Sequence, residues 1–188
     1  MEFQTESTLI PGVTVLTPEA FQDARGYFAE LFRSDKFQKL GLPHEFVQMN
    51  ESVSKKRVIR GLHFQWDPPM GKLMRVTQGT AFLVAIDLRK GSPTLGKWVG
   101  VEASAENRKQ VWAPASFARG FCALADRTVV EYLCTGIYNS KCESGIRWDD
   151  PDIGITWPIA DPLISEKDRN ARPIRDWLAS PQSDNFRY

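Results

Sequence analysis

Short runs in which apolar and polar residues alternate recur along most of the chain, broken by glycine, proline and aspartate. They are VTVLTP (13–18), YFAELF (27–32), FVQMNES (46–52), KLMRVTQG (72–79), TAFLVAIDLR (80–89), KWVGVEAS (97–104), KQVWAPA (109–115), ARGFCALA (118–125) and TVVEYLCTGIY (128–138). Their period of two, their length and their β-branched and aromatic content predict strands. Gly79, Gly91-Ser92-Pro93, Pro114 and Asp126-Arg127 punctuate them as turns. Many short strands at this spacing predict an all-β sandwich or barrel. Helix signals are few. Ser34 is placed to cap a short helix through DKFQKL, ended by Gly41, and PEAF (18–21) reads as one turn. The last forty residues carry Pro151, Pro158, Pro162, Pro173 and Pro181 and predict an irregular wrap with a helical turn or two. No repeat or linker divides the chain, so residues 1–188 read as one domain.

Composition changes this picture mainly by exclusion. A hydrophobic share of 42% over 188 residues is enough for a real core. A formal net charge of +1 argues against duplex nucleic acid as a partner. Local cations at Lys55, Lys56, Arg57 and Arg60, then Lys72 and Arg75, suit a small anion or a solvated face equally well. Cys122, Cys134 and Cys142 are odd in number and form no C-x-x-C, which indicates neither a disulfide framework nor a zinc knuckle. The start, MEFQTESTLIPGV, lacks the basic and apolar regions of a signal peptide, and no apolar run has the length of a membrane span. The expectation is a reduced, cytoplasmic setting without membrane contact.

Two histidines occur. His44 lies in the polar segment LPHEF and reads as a surface residue. His63 lies in RGLHFQ (60–65), where strand alternation sets Gln65 on its face and Arg60 on the other. A lone inward histidine is more often a satisfied core residue than a catalyst. HFQ also stands where a metal-binding barrel would want H-x-H, so no histidine-rich metal site is expected. A functional His63 would therefore do acid–base work, with a carboxylate on its second ring nitrogen. Asp23, Asp67, Asp87, Asp149, Asp150, Asp152, Asp161 and Asp168 are all candidates that spacing cannot separate. Tyr132 and Tyr138 share a face if their strand is regular, as acids or as core aromatics. Lys72, after Met70-Gly71, could steady an enolate or be solvated. No Walker loop, G-x-G-x-x-G or G-x-S-x-G is present.

Several segments taken in order carry a resemblance. They are DARGYFAELF (23–32), FVQMNESVS (46–54), VIRGLHFQ (58–65), GKLMRVTQG (71–79), DLRKGSPTLGKW (87–98), PASFARGF (114–121), EYLCTGIY (131–138), GIRWDDPDIGITWP (145–158) and ISEKD (164–168). From about residue 9 to 175 the chain resembles the dTDP-4-dehydrorhamnose 3,5-epimerases (dTDP-4-keto-6-deoxyglucose 3,5-epimerases). The resemblance implies a cupin-type jelly-roll β-barrel with a few short peripheral helices, no metal and no cofactor. It implies a homodimer that exchanges N-terminal strands. It implies a nucleotide-sugar substrate, most simply dTDP-linked, whose protons beside a C4 ketone are removed and replaced from the opposite face at C5 and C3. By the same resemblance His63 matches the base, Asp168 its carboxylate, Tyr132 the acid and Lys72 the cation at the developing enolate. Arg60 and Lys167 match phosphate contacts. Phe21 and Tyr138 match positions that sandwich the nucleotide base. Arg25, Glu30, Gln48 and Asn50 match further nucleotide and sugar contacts, some across a dimer.

One departure stands out. The family pattern G-F-A-H-G-F is SFARGF here, with Ser116 for glycine and Arg119 for histidine. Arginine keeps a donor but is no acid–base group near neutral pH. Arg119 could reshape the sugar pocket, add a phosphate contact, restrict epimerisation to one carbon, or only replace one donor by another. Three readings follow: a 3,5-epimerase as in rhamnose assembly, a C3- or C5-only epimerase on another nucleotide-linked keto-sugar (a heptose, or a GDP or CDP sugar), and a non-catalytic sugar-nucleotide-binding barrel.

Overall fold

Thr80–Asp87 is a strand buried on both faces, and its neighbours explain the architecture. Ala81, Leu83 and Ala85 join one apolar cluster while Val84 and Ile86 join another. That is why this stretch reads as a nearly continuous apolar run rather than a clean alternation.

In the computed structural model, which describes residues 1–188, the strands before it are β1 (Phe3–Ser7), β2 (Thr14–Pro18), β3 (Ala20–Asp23), β4 (Gly26–Ala29), β5 (Gln48–Ser54), β6 (Val58–Gln65) and β7 (Lys72–Gln78), with helix α1 (Ser34–Lys39) between β4 and β5. Thr80–Asp87 is β8. It is followed by β9 (Trp98–Ser104), β10 (Gln110–Ala113), β11 (Phe117–Ala123), β12 (Thr128–Cys134), β13 (Glu143–Gly145), β14 (Leu163–Ile164), α2 (Glu166–Arg169) and α3 (Ile174–Ala179). A 3₁₀ turn, Pro181–Asn185, ends the described elements.

One sheet has the order β1-β2-β10-β7-β12-β5 and faces a second of order β13-β6-β11-β8-β9, to which β14 adds in parallel on β6. Neither sheet closes on itself, so the jelly roll is a sandwich rather than the closed barrel that the resemblance implies. Met74 and Val76 of β7, Val130 of β12, Leu83 of β8 and Phe121 of β11 fill the space between the sheets. The outer face of the second sheet is covered by the C-terminal wrap, where Ile174, Trp177 and Phe186 pack on Leu62, Phe64 and Ile86. The outer face of the first sheet is covered by Phe37 of α1 and Leu42, on Leu16, Leu73 and Trp112. Each large side chain so buried contributes roughly 1.5–3 kcal/mol, enough to hold an irregular wrap without a ladder of its own.

Several local expectations change. Ser34 lies inside α1 and makes no capping bond; the N-cap is Arg33. Gly41 does end the helix, with φ +70 and the Leu42 N–H reaching back to the Phe37 carbonyl. PEAF is the junction of β2 and β3 rather than a helical turn, because Ala20 and Phe21 pair with Ala29 and Phe28 in a hairpin. TVVEYLCTGIY leaves the sheet after Cys134, so Tyr138 lies on a loop and shares no strand face with Tyr132. The polar edge strand β1, paired with β2 within the chain, carries no apolar alternation that could announce it.

Candidate active site

The two inward faces meet in a cavity of about 590 Å³ at one end of the sandwich. Alternation decides what enters it. On β7 the residues that point between the sheets are Lys72, Met74 and Val76, and on β12 they are Val130 and Tyr132. Apolar members of these series form the floor, and the polar ones stand nearer the mouth.

Strand β6 breaks its own alternation to serve the same cavity. Arg119 pairs with His63 and Phe121 with Arg60, so three steps on β6 oppose two on β11. This bulge reverses the parity, and Arg60 and His63 both line the cavity instead of facing apart. Gly61 makes the bulge feasible. Its φ is +121, and a methyl group there would lie 2.7 Å from the Gly120 Cα and 2.8 Å from the Arg119 carbonyl oxygen. Gln65 does remain on the His63 side, where it is buried and donates to the carbonyls of Pro68 and Ile137.

The carboxylate that spacing could not choose is Asp168. Its Oδ1 lies 2.6 Å from His63 Nε2, and its Oδ2 accepts the Gly61 N–H at 3.3 Å. It reaches β6 because β13 and β14 pair with different stretches of that strand and leave the Gly61 N–H free of both. Ser165 caps α2 by accepting the Asp168 N–H, which holds the carboxylate toward the strand. Burial opposes ionisation of Asp168, but the hydrogen bonds from His63 and the Gly61 N–H outweigh it and hold its pKa below the usual carboxylate value. Asp168 is buried, whereas the His63 side chain keeps 28% exposure, on the cavity. With Nε2 engaged, Nδ1 is the ring nitrogen left to take a proton.

Tyr132 stands on the other sheet, opposite Asn50 in register. Burial, then the nearby Cys134, raises its pKa above the ordinary phenol value, so it holds its proton at neutral pH. The Lys72 ammonium lies 4.6 Å from the centre of the Tyr132 ring. Burial, then the charge of Arg119, lowers Lys72 to about 8. Arg119 is buried at the cavity wall, with its pKa lowered to about 10 by burial. Its Nη1 donates to the Met70 carbonyl at 2.6 Å and to that of Pro114 at 3.1 Å, while Nε and Nη2 have no partner.

Arg60 is fixed by Ser54 Oγ at 3.0 Å and the Val53 carbonyl, and with Lys167 it adds positive charge to the cavity lining. Beside it a cluster missing from the sequence reading appears. Glu143 Oε2 accepts from Lys167 Nζ at 2.6 Å and from the Tyr138 hydroxyl at 3.0 Å. No motif flags Glu143, whereas Ser165 lies in the segment ISEKD. Gln48 donates to Asn50 Oδ1 and accepts the Tyr138 N–H, so these residues frame one rim. Phe21 and Arg25 lie on the β3–β4 hairpin and Glu30 just after it, outside this cavity. Phe21 is exposed, Arg25 pairs with Asp23, and Glu30 pairs with Lys36. His44 is on a separate loop. No group of three or more His, Cys, Asp or Glu side chains converges to hold a metal ion.

A buried carboxylate–histidine pair on one wall, a protonated phenol on the other and an ammonium beside it are groups that can move a proton across one cavity of a cupin-type sandwich. Comparison with known proteins specifies the class. The family model for dTDP-4-dehydrorhamnose 3,5-epimerase matches residues 7–176. A dTDP-4-dehydrorhamnose 3,5-epimerase of Methanothermobacter thermautotrophicus is 51% identical over 178 residues, covering 93% of this chain and 96% of that protein. The crystal structure of a dTDP-6-deoxy-D-glucose-3,5-epimerase from Legionella pneumophila, in complex with dTDP-4-keto-L-rhamnose, superposes with a TM-score of 0.93 at 38% identity, covering 100% and 99% of the two chains. A dTDP-4-dehydrorhamnose 3-epimerase of Streptomyces niveus is 38% identical, with 86% and 79% covered. The chain belongs to the dTDP-4-dehydrorhamnose 3,5-epimerase family and is an isomerase of the epimerase class.

Proposed function

We propose that this enzyme converts dTDP-4-dehydro-6-deoxy-D-glucose to dTDP-4-dehydro-L-rhamnose, by epimerisation at C5 and C3. The observation that carries the mechanism is the placement of the His63–Asp168 pair and Tyr132 on opposite walls of one cavity. His63 Nδ1 removes the proton alpha to the C4 ketone, and the electron pair of the C–H bond enters the enolate. Tyr132 returns a proton to the other face of the same carbon, which inverts it. Asp168 fixes the imidazole and balances its charge once it is protonated. Lys72 stabilises charge on the C4 oxygen. Arg60 and Lys167 suit the diphosphate, whose binding energy is gained away from the reacting carbon. Gln48, Asn50 and Tyr138 line the route toward the nucleotide.

Similarity to the 3,5-epimerases, stronger than that to the 3-epimerase, favours reaction at both carbons. In deuterium oxide, NMR of the substrate should show deuterium entering at C3 and C5. Incorporation at one carbon would make the enzyme a mono-epimerase, and inertness with tight dTDP binding would make it a binder.

A second chain completes this reading. Phe21, Tyr27 and Phe28 are all exposed on the β3–β4 hairpin, and Met49 and Val53 are exposed on the edge strand β5. Exposed large apolar side chains on a hairpin and on an edge strand suit burial against another copy, which would bring Phe21, Arg25 and Glu30 to a neighbouring site. Sedimentation should give a two-chain mass, and Phe28→Asp should shift it to one chain. No helix is long and apolar enough to cross a membrane.

A further inference from the structure

Two cations line the cavity without an ion-pair partner. Lys72 and Arg119 both line it, and neither pairs with a carboxylate. Arg119 is tied to the very strands that carry Lys72. Its Nη1 bonds to the carbonyl of Met70, two residues before Lys72, and lies 3.4 Å from that of Ala113, the register partner of Lys72 on β10. Its remaining donors, Nε and Nη2, are buried with no partner. Lys72 at about 8 loses its proton before Arg119 at about 10, so the relief available to this pair near neutral pH is loss of a proton from Lys72.

We propose that Arg119 is a positioning residue that acts through Lys72, making its ammonium a proton donor to the ketone oxygen rather than a fixed charge beside it. The inference rests on the epimerase reading above. As His63 takes the alpha proton, the C–H pair moves into the carbon–carbon bond and the carbonyl π pair moves onto O4. O4 then takes a proton from Lys72 Nζ, leaving a neutral amine and an enol. When Tyr132 protonates the carbon, the enol O–H returns its proton to Lys72, and exchange with solvent takes the proton from His63 and restores that of Tyr132. The transfer works best when the donor's pKa lies near the working pH, and Lys72 at about 8 is closer to that condition than an ordinary lysine. The other groups around Lys72 are Cys134 and Tyr132 of β12, Glu143 of β13, and, on the same cavity, Arg60 and His63 of β6 with Lys167, Asp168 and Arg169 of α2. Cys134 and Glu143 favour the charged lysine, so burial and Arg119 are the two influences that lower it.

Two measurements decide the matter. Competitive acetylation of the wild-type protein across pH, read at Lys72 by mass spectrometry, should show half-reactivity near 8. A midpoint at the ordinary lysine value of about 10.4 overturns the proposal. The second is the pH profile of kcat. The wild-type rate should fall above about 8, Arg119→Lys should keep that limb, and Arg119→Gln should move it upward by about one pH unit or more. Coincident limbs for the wild type and Arg119→Gln overturn the proposal. A wild-type protein inert toward the keto-sugar would sink the epimerase reading alone, because the acetylation midpoint needs no turnover.

Discussion

Replacing His63 by Asn lowers kcat for deuterium exchange at C3 and C5 by on the order of 10²–10⁴-fold, the range for loss of a positioned general base. Binding of dTDP should stay within a few-fold of wild type, because Arg60 and Lys167 stay in place. The asymmetry is the informative part. Asn preserves a donor toward Asp168 but has no nitrogen that accepts a proton, so the chemistry is lost while the fold keeps a partner for the buried carboxylate. His63→Leu would confound the two, since it leaves Asp168 buried without its ring partner. Exchange at the wild-type rate in the Asn variant would remove His63 from the mechanism.

Gly61→Ala should destabilise the protein by roughly 2–5 kcal/mol, combining backbone strain with overpacking. The added methyl meets backbone at Gly120 and Arg119, and backbone in a paired strand cannot swing aside as a flexible side chain can. Gly26→Ala is the control, since its φ is +127 and nothing lies within 4 Å. It shares the conformational penalty without the collision. Denaturant midpoints should therefore fall much further for the Gly61 variant, and equal midpoints would refute the argument. Variant protein that still folds at low temperature should also lose activity, because the same bulge sets both Arg60 and His63 on the cavity.

These residues also show what a sequence can disclose. The strands β7 and β12 were legible because period-two alternation is a local property, while the roles of Lys72 and Tyr132 on them came from the resemblance. The parity of Arg60 was not legible. A bulge is a relation between two strands, and nothing in RGLHFQ states how many residues of β11 stand opposite it. Asp168 is similar. It lies 105 positions from His63, and only the gap along β6 selects it over seven other aspartates; the resemblance named it where spacing could not. Glu143 escaped both routes, since its partners Tyr138 and Lys167 come from a loop and from α2, distant from each other in sequence. The placement of Arg119 was half legible. The resemblance singled it out at a sugar-pocket position, but its anchoring by backbone carbonyls needed the structure.

The base belongs to one sheet and the acid to the other. Two stacked sheets stand about 10 Å apart, a spacing set by the side chains between them. Met74, Val130 and Phe121 are such side chains, and the same atoms floor the cavity. The gap that a sugar ring must bridge is thus held as the jaws of a caliper are held, by a screw further down the instrument. Enlarging or shrinking one of these apolar residues would reset the jaws without touching His63 or Tyr132, so the choice of sugar can drift through the core while the chemistry stands still.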